Sequence, residues 1–183
     1  MLYISKGFLT NEIDGQCWVM HSGTEHRLTH TESELWLAGR ATNDETDNLL
    51  TLDDMEYMGL IRIAEDDNDD GLFKLLCDCM FIPVWNPKTN EAMTSAESIL
   101  YTWLREAGIN LTTAELICLC EEGIAPVAEL LGDDGRQALI SQIYLDGDIN
   151  EITLETKMAS SDSRTWVLSG LLSLVEKNYL YIG

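Results

Sequence analysis

The chain has 183 residues, 45% of them hydrophobic, and a formal net charge of −21 from 32 acidic and 11 basic residues. The acidity is spread out, with −12 in residues 1–92 and −9 in residues 93–183, so it belongs to the folded surface rather than to a tail. Such a field disfavours nucleic acids and anionic membranes as partners and favours basic proteins and cations. An acidic surface also keeps a protein soluble without any partner, and this plainer explanation stays open.

The composition also bears on the compartment. No run approaches the ~18 apolar residues of a membrane span, and the first 15 residues lack the apolar segment of a secretion signal. Five cysteines, an odd number without such a signal, indicate reduced thiols. We expect a cytoplasmic location in a bacterial cell, for a protein of that cell or of a phage or mobile element.

The first elements are a hairpin and a helix. Alternation over residues 2–21 predicts two strands joined by a turn at Asp14-Gly15. Thr29 with Glu32 three residues later forms a capping box, which predicts the start of a helix that Gly39 ends.

A second helix and two further strands are predicted next. Leu52, Met55 and Met58 share one helical face, and Gly59 precedes a strand. An acidic tip at 65–70 then leads into an apolar run that we interpret as a second strand, ending near residue 84. This order of helix, strand, tip and strand resembles the last helix and wing of a winged-helix unit.

Two prolines and polar residues at 83–90 predict a boundary. We therefore divide the chain into an N-terminal unit (1–84), a linker (85–93) and a helical C-terminal domain (94–183). Capping boxes at Thr94 and Thr112 predict two helices in that domain. Weak likenesses of 28–39 to 111–123, and of 58–63 to 178–182, suggest a degenerate repeat as a hypothesis.

The clearest pattern lies in residues 136–183. A helix is predicted from Ala138 to Leu145 and a second from Ile152 to Ala159; a polar turn, a third helix ending near Lys177 and a strand at 178–182 follow. This order and spacing resemble the winged-helix branch of the helix-turn-helix superfamily. We expect the last strand to find its partner in the N-terminal hairpin or in a second subunit. The expected fold class is thus α+β and mostly helical, with two winged-helix-like units and short β-hairpins.

The resemblance implies that the third helix is the reading element, because in this superfamily it lies in the major groove of DNA. A step of about 100° per residue turns one apolar set toward the core: Val167, Leu168, Leu171, Leu174 and Val175. The outward set contains no basic residue: Asp162, Thr165, Trp166, Ser169, Ser173 and Glu176. A face that reads bases and phosphates is expected to carry Arg, Lys, Asn or Gln. An exposed Trp among hydroxyls is more typical of a protein interface, unless Trp166 packs into the core.

The acidic tip offers a second candidate surface. Its carboxylates are Asp66, Asp67, Asp69 and Asp70. The tip matches the opening of a calcium loop, but Cys77 stands where the closing bidentate Glu belongs. A polar hairpin tip is the simpler interpretation.

Two C-x-C elements, at residues 77–79 and 118–120, raise the question of zinc. On a helix, residues two apart point in different directions, so Cys118 and Cys120 do not grip one ion without distortion. Buried thiols are the alternative.

Catalytic chemistry has little support. Three histidines, His21, His26 and His30, cluster near Cys17, but no orienting third group accompanies them. No phosphate loop, dinucleotide fingerprint or paired-carboxylate signature is present. We expect no enzyme and no cofactor or metal.

The leading hypothesis is a non-enzymatic, acidic module that binds a protein with a basic surface, alone or as a homodimer. Its sharper version is a DNA mimic that inhibits or regulates a basic nucleic-acid-binding protein. The alternative is a winged-helix transcriptional regulator, for which Arg136, Lys157, Arg164 and Lys177 would have to converge. A calcium-responsive adaptor is a minor third hypothesis.

Overall fold

A computed structural model describes the chain except for residues 42–47, 107–110, 129, 132–136, 138, 140, 142 and 145–149. The fold is α+β, with small antiparallel sheets beside the helices. Contacts divide it into a first unit, Met1–Leu75 with Tyr181–Gly183, and a second unit, Leu76–Leu180. No described helix is long and apolar enough to cross a lipid bilayer.

The first unit begins with two sheets. Strand β1 (Tyr3–Ser5) pairs antiparallel with β5 (Ile61–Ile63), and the other sheet has the order β2 (Phe8–Ile13), β3 (Gln16–His21), β4 (Thr24–Arg27). The β2–β3 hairpin confirms the predicted turn, because Asp14 and Gly15 have the positive φ angles of 51° and 74° that suit a two-residue hairpin. Ser22 and Gly23 repeat this geometry before β4, which the sequence analysis missed.

Two helices complete the core of the first unit. Helix α1 (His30–Ala38) starts at the predicted Thr29–Glu32 capping box, and α2 (Leu49–Tyr57) ends before Gly59. The core residues are Tyr3, Cys17, Val19, Leu28, Leu35, Trp36, Leu52, Met55, Leu60 and Ile61. Met58 is exposed, so only Leu52 and Met55 of the predicted apolar face point inward.

The predicted second strand after the acidic tip is wrong, because residues Asp69–Cys77 form helix α3. The side-chain oxygen of Asn68 accepts hydrogen bonds from the amides of Asp70 (3.0 Å) and Gly71 (2.9 Å), as an N-cap does. Asp69 and Asp70 in the first turn suit the positive end of the helix dipole. The tip is therefore a helix start, and β5 pairs with β1 instead of forming a wing with a following strand.

The second unit contains β6 (Phe81–Pro83), α4 (Ser95–Glu106), α5 (Thr113–Glu121), α6 (Glu151–Met158) and α7 (Arg164–Glu176), and β7 (Leu180–Ile182) begins in it. The predicted capping boxes at Thr94 and Thr112 are both confirmed. Of the predicted first helix, residues 139, 141 and 143 are helical, Tyr144 is not, and residues 138, 140, 142 and 145 lie outside the described residues.

Helices α4 and α5 both pack on α7, and α5 also packs on α6. Strand β7 pairs with β6, and its Ile182 makes one isolated bridge to Gly7. The partner strand thus comes from residues 81–83, and the predicted N-terminal hairpin contributes only the bridge from Gly7. The predicted linker, 85–93, has no helix or strand, whereas the division by contacts falls after Leu75.

Candidate partner-binding surface

Helix α7 carries most of the candidate residues, and a short polar turn positions it after α6. Asn150 caps α6 by accepting a hydrogen bond from the amide of Thr153 at 3.0 Å. Arg164 then starts α7, where Ser163 is the N-cap residue but makes no side-chain capping bond. The predicted bounds of both helices agree with the structure to within about one residue, which places the outward residues as the periodicity requires.

A carboxylate from α5 holds the start of α7. Oε2 of Glu121 accepts hydrogen bonds from Ser161 Oγ (2.6 Å) and from the amide of Ser163 (3.1 Å). The hydrogen bond from Ser161, together with those from Ser163, lowers the pKa of Glu121. A helix N-terminus is the place where proteins commonly bind phosphate. Beside the start of α7, a negative group of the protein itself already accepts a hydrogen bond from the amide of the N-cap residue, Ser163.

The inward face of α7 agrees with the prediction. The five predicted apolar residues are buried, together with Gly170. A Cβ at Gly170 would lie 2.6 Å from Leu100 Cδ1, so the glycine is what allows this close approach to α4.

The outward face agrees with the prediction except at one position. Five residues are exposed: Asp162, Thr165, Trp166, Ser169 and Glu176. Trp166 is 37% exposed, so its indole is partly available at the surface. Ser173 differs, because it is half-buried and donates a hydrogen bond to Glu97 Oε1 at 2.6 Å. Its hydroxyl is therefore committed within the protein.

Glu97 forms a buried polar cluster that the sequence analysis did not identify. Nζ of Lys177 donates to both carboxylate oxygens, at 2.8 and 2.9 Å, and the amide of Thr94 donates at 2.6 Å. Burial alone would raise the pKa of Glu97, but the hydrogen bonds from Lys177, Ser173 and Thr94 outweigh it and lower the pKa to about 2. Lys177 is thus a structural cation rather than one offered to a ligand.

The basic residues that a DNA-binding role requires are only partly accessible. Arg164 is half-buried, and its guanidinium donates to the carbonyl oxygen of Ala159. Lys177 is held by Glu97. Lys157 on α6 is exposed, and Arg136 lies outside the described residues. No basic residue is exposed on α7 itself.

The acidic tip belongs to the first unit. Asp66, Asp67, Asp69 and Asp70 are all exposed. Oδ1 of Asp67 accepts a 2.6 Å hydrogen bond from the amide of Leu2, and this bond lowers the pKa of Asp67. The carboxylate of Asp67 is therefore partly engaged, while the tip as a whole is solvent-facing.

The cysteines and histidines do not form a reactive arrangement. All five thiols are free, and burial raises the pKa of Cys77 to about 12 and that of Cys120 to about 11. Burial also raises the pKa of Cys17 and lowers that of His21. These thiols stay protonated at neutral pH, the poorer form for nucleophilic attack or metal binding. Among the described residues, no group of three potential ligands could hold a metal ion.

The sequence analysis missed the most exposed apolar side chains. Trp85, after β6, is 85% exposed, and Leu50 and Tyr57 on α2 are 83% and 95% exposed. Trp85 falls in the predicted linker, where no periodicity indicates which way a side chain points. On α2, Leu52 and Met55 mark the inward side, and a step of about 100° per residue turns Leu50 to the opposite side, so the exposure of Leu50 could have been predicted.

Comparison with known proteins adds no relative. No family model matches the chain, and neither a curated protein nor a solved structure does.

Proposed function

We propose that the protein is a non-enzymatic, acidic binding module whose partner is a protein with a basic surface, and that α7 is its main contact element. The observation that carries this proposal is the outward side of α7 with the turn before it, where two carboxylates, hydroxyls and one indole are exposed and no basic side chain is. The net charge of −21 favours a basic partner over a polyanion across the whole surface. The acidic tip at 66–70 would contribute to the same attraction.

The architecture that we propose for residues 136–183 is a winged helix turned from DNA to protein. The succession of α6, polar turn, α7 and β7 supports this assignment. The carboxylate of Glu121 beside the start of α7 supports the change of partner, because its negative charge lies near a helix N-terminus, where it would repel a DNA phosphate. A winged-helix transcriptional regulator would need accessible bases beside α7, and Lys177 is instead paired with Glu97.

The sharper form of the proposal is a DNA mimic. Its partner would be a basic nucleic-acid-binding protein, and the module would occupy the surface that otherwise receives phosphates. This fits a cytoplasmic protein of a bacterial cell, phage or mobile element.

Two binding experiments test the proposal. At low salt, a random DNA duplex should show no gel shift with the protein, whereas a DNA-binding protein retains some non-specific affinity there. A panel of basic nucleases and DNA-binding proteins should include one that the protein binds in a salt-sensitive manner, and duplex DNA should compete for it. Lysozyme, basic but not a nucleic-acid-binding protein, controls for attraction by charge alone.

Variants then locate the contact. Trp166→Ala and the pair Asp162→Asn with Glu176→Gln should weaken the complex at least tenfold, because an aromatic anchor and charges on one face are lost. Trp85→Ala is the matched control, since it removes an exposed indole outside α7. A gel shift of duplex DNA by the wild-type protein would contradict the proposal. So would a loss of affinity for the partner in Trp85→Ala as large as that in Trp166→Ala.

A further inference from the structure

Helix α2 of the first unit presents a face that the described residues of that unit leave exposed. Leu52 and Met55 are fully buried on the inward side, where α2 packs against α1 and β5. The opposite side is one stripe at the spacing i, i+3, i+4, i+7: Leu50, Asp53, Asp54 and Tyr57. All four residues are exposed.

The stripe has an apolar or aromatic side chain at each end and carboxylates in the middle. Leu50 and Tyr57 stand two turns apart, roughly 10 Å along the helix axis, with the two carboxylates between them. Leu50 is 83% exposed and Tyr57 is 95% exposed, so nearly the whole of each side chain is in water. Covering apolar surface of this kind is favourable by roughly 25 cal/mol per Å².

We propose that this stripe, the α2 face, is a second docking surface whose occupant is an amphipathic, arginine-bearing helix of another protein. Charge complementarity identifies the occupant: a guanidinium pairs with a carboxylate through two parallel hydrogen bonds, and its planar group stacks on a tyrosine ring. Arginines between two apolar side chains would therefore match Asp53 and Asp54 while the apolar ends cover Leu50 and Tyr57.

A second copy of the chain fits this face poorly. The same face on a second molecule would bring Asp53 and Asp54 against their own counterparts, and each molecule carries a net charge of −21. Like charges brought together across an interface are costly. The partner is thus a different, basic protein. The α2 face is a binding surface additional to α7, because α2 lies in the first unit and α7 in the second.

The probe for this proposal is a synthetic helical peptide of about 18 residues, long enough to form a helix, with leucine at both ends of one face and two arginines between them. Titration of the full chain followed by NMR should move the amide signals of residues 49–58 first. A peptide with its leucines moved to the opposite face of the helix controls for charge. Signal changes centred on α7 or on residues 66–70 would overturn the assignment.

Substitutions sharpen the result. The pairs Asp53→Asn with Asp54→Asn, and Leu50→Ala with Tyr57→Ala, should each weaken peptide binding at least tenfold, measured by calorimetry. Asp162→Asn with Glu176→Gln makes the same charge change on the proposed contact surface of α7 and its preceding turn, and should leave the affinity within about twofold. Ile13→Ala, at an exposed isoleucine of β2, is the matched apolar control.

The outcomes separate this proposal from the proposed function. If the α7 pair weakens peptide binding and the α2 pairs do not, the α2 face is wrong and α7 alone binds basic partners. If sedimentation shows a dimer of the free protein that Leu50→Ala dissociates, the occupant is a second copy and the proposal fails. Because the four residues are exposed, the melting temperatures of the variants should match that of the wild type. If a variant melts at a lower temperature, its binding result is set aside, and the NMR titration of the wild-type chain decides whether the peptide binds the α2 face.

Discussion

Two sets of buried polar groups, one in each unit, differ in their chemistry, although the first unit also buries Arg40 and the second also buries Thr113. In the first unit, neutral side chains bond to the backbone: Tyr3 Oη donates to the carbonyl of Leu35, Ser5 Oγ to that of Trp36, and Trp36 Nε1 to that of Lys6. In the second unit, a carboxylate does this work, because Glu97 is 5% exposed and ion-paired with Lys177. The first arrangement is insensitive to acid, whereas the second depends on ionisation.

The largest effect is expected from removing the Glu97–Lys177 ion pair of the second unit. Glu97→Ala leaves the partly buried Lys177 without its carboxylate, and we expect it to lower the free energy of unfolding by about 3–5 kcal/mol. Ser5→Ala, which deletes a neutral bond in the first unit, should cost about 1–2 kcal/mol. Urea unfolding measures both, and hydrogen exchange shows which unit loses protection. Equal costs would mean that the ion pair contributes no more than a neutral bond.

Acid should separate the two units. The folded pKa of Glu97 is about 2, below that of an unfolded glutamate near 4.3, so ionised Glu97 stabilises the fold fully above that higher value. This stabilisation is lost progressively as the pH falls from about 4.3 toward 2. We expect amides around α4 and α7 to lose protection in that range before those of α1.

Glu97→Gln is the control for acid, because it removes the titrating group while keeping most of the shape. The exposed Asp67 also has a lowered pKa, but it is open to solvent and should contribute less. The same acid profile in Glu97→Gln would assign the loss to other carboxylates.

Two buried tryptophans provide a closer match between the units. Trp36 and Trp103 are both fully buried, but in the part of the chain that the structure describes Trp103 Nε1 has no hydrogen-bond partner. Trp36→Phe leaves the Lys6 carbonyl unpaired, whereas Trp103→Phe removes an unsatisfied N–H. We expect Trp36→Phe to be more destabilising by about 1–2 kcal/mol, measured by urea unfolding. A reversed order would indicate that the indole N–H of Trp103 is satisfied in solution.

The smallest expected effect concerns a feature that the units share. Two positions after the last residue of α2 and of α7, the chain has a residue with positive φ: Gly59 (74°) after α2 and Asn178 (62°) after α7. A three-residue strand follows closely in both cases. Gly59→Ala and Asn178→Ala should each cost about 1 kcal/mol, because alanine is strained in the left-handed region. A Cβ at Gly59 meets no atom closer than 3.5 Å, so strain rather than a clash sets its cost. Thermal melting measures the pair, and unequal losses would show that the two helix ends are not equivalent.

Local signals in the sequence predicted much of the fold. The three capping boxes at Thr29, Thr94 and Thr112 each involve residues three positions apart, so the pattern and the structure coincide. Helix α3 was mistaken for a strand because a short apolar run does not distinguish the two, and the capping role of Asn68 was interpreted as part of a turn. Strand β4 was missed although Ser22-Gly23 marks a turn.

The candidate surface was predictable only where periodicity decides. The spacing correctly separated buried Val167 from exposed Glu176. It gave no indication that Ser173 would bond to Glu97, which lies 76 positions earlier. Long-range pairs of this kind depend on how α4 and α7 pack, and no local pattern encodes them.

Gly170 has a consequence for how binding defects are to be interpreted. A side chain there would force either the Leu100 side chain or α7 to move, and a movement of α7 would displace its exposed residues. A genetic selection for escape from a partner would thus recover substitutions at this buried position together with changes at Trp166. Substitutions that displace α7 in this way therefore have to be separated from those at exposed residues before the selected positions are taken as the binding surface for the proposed partner.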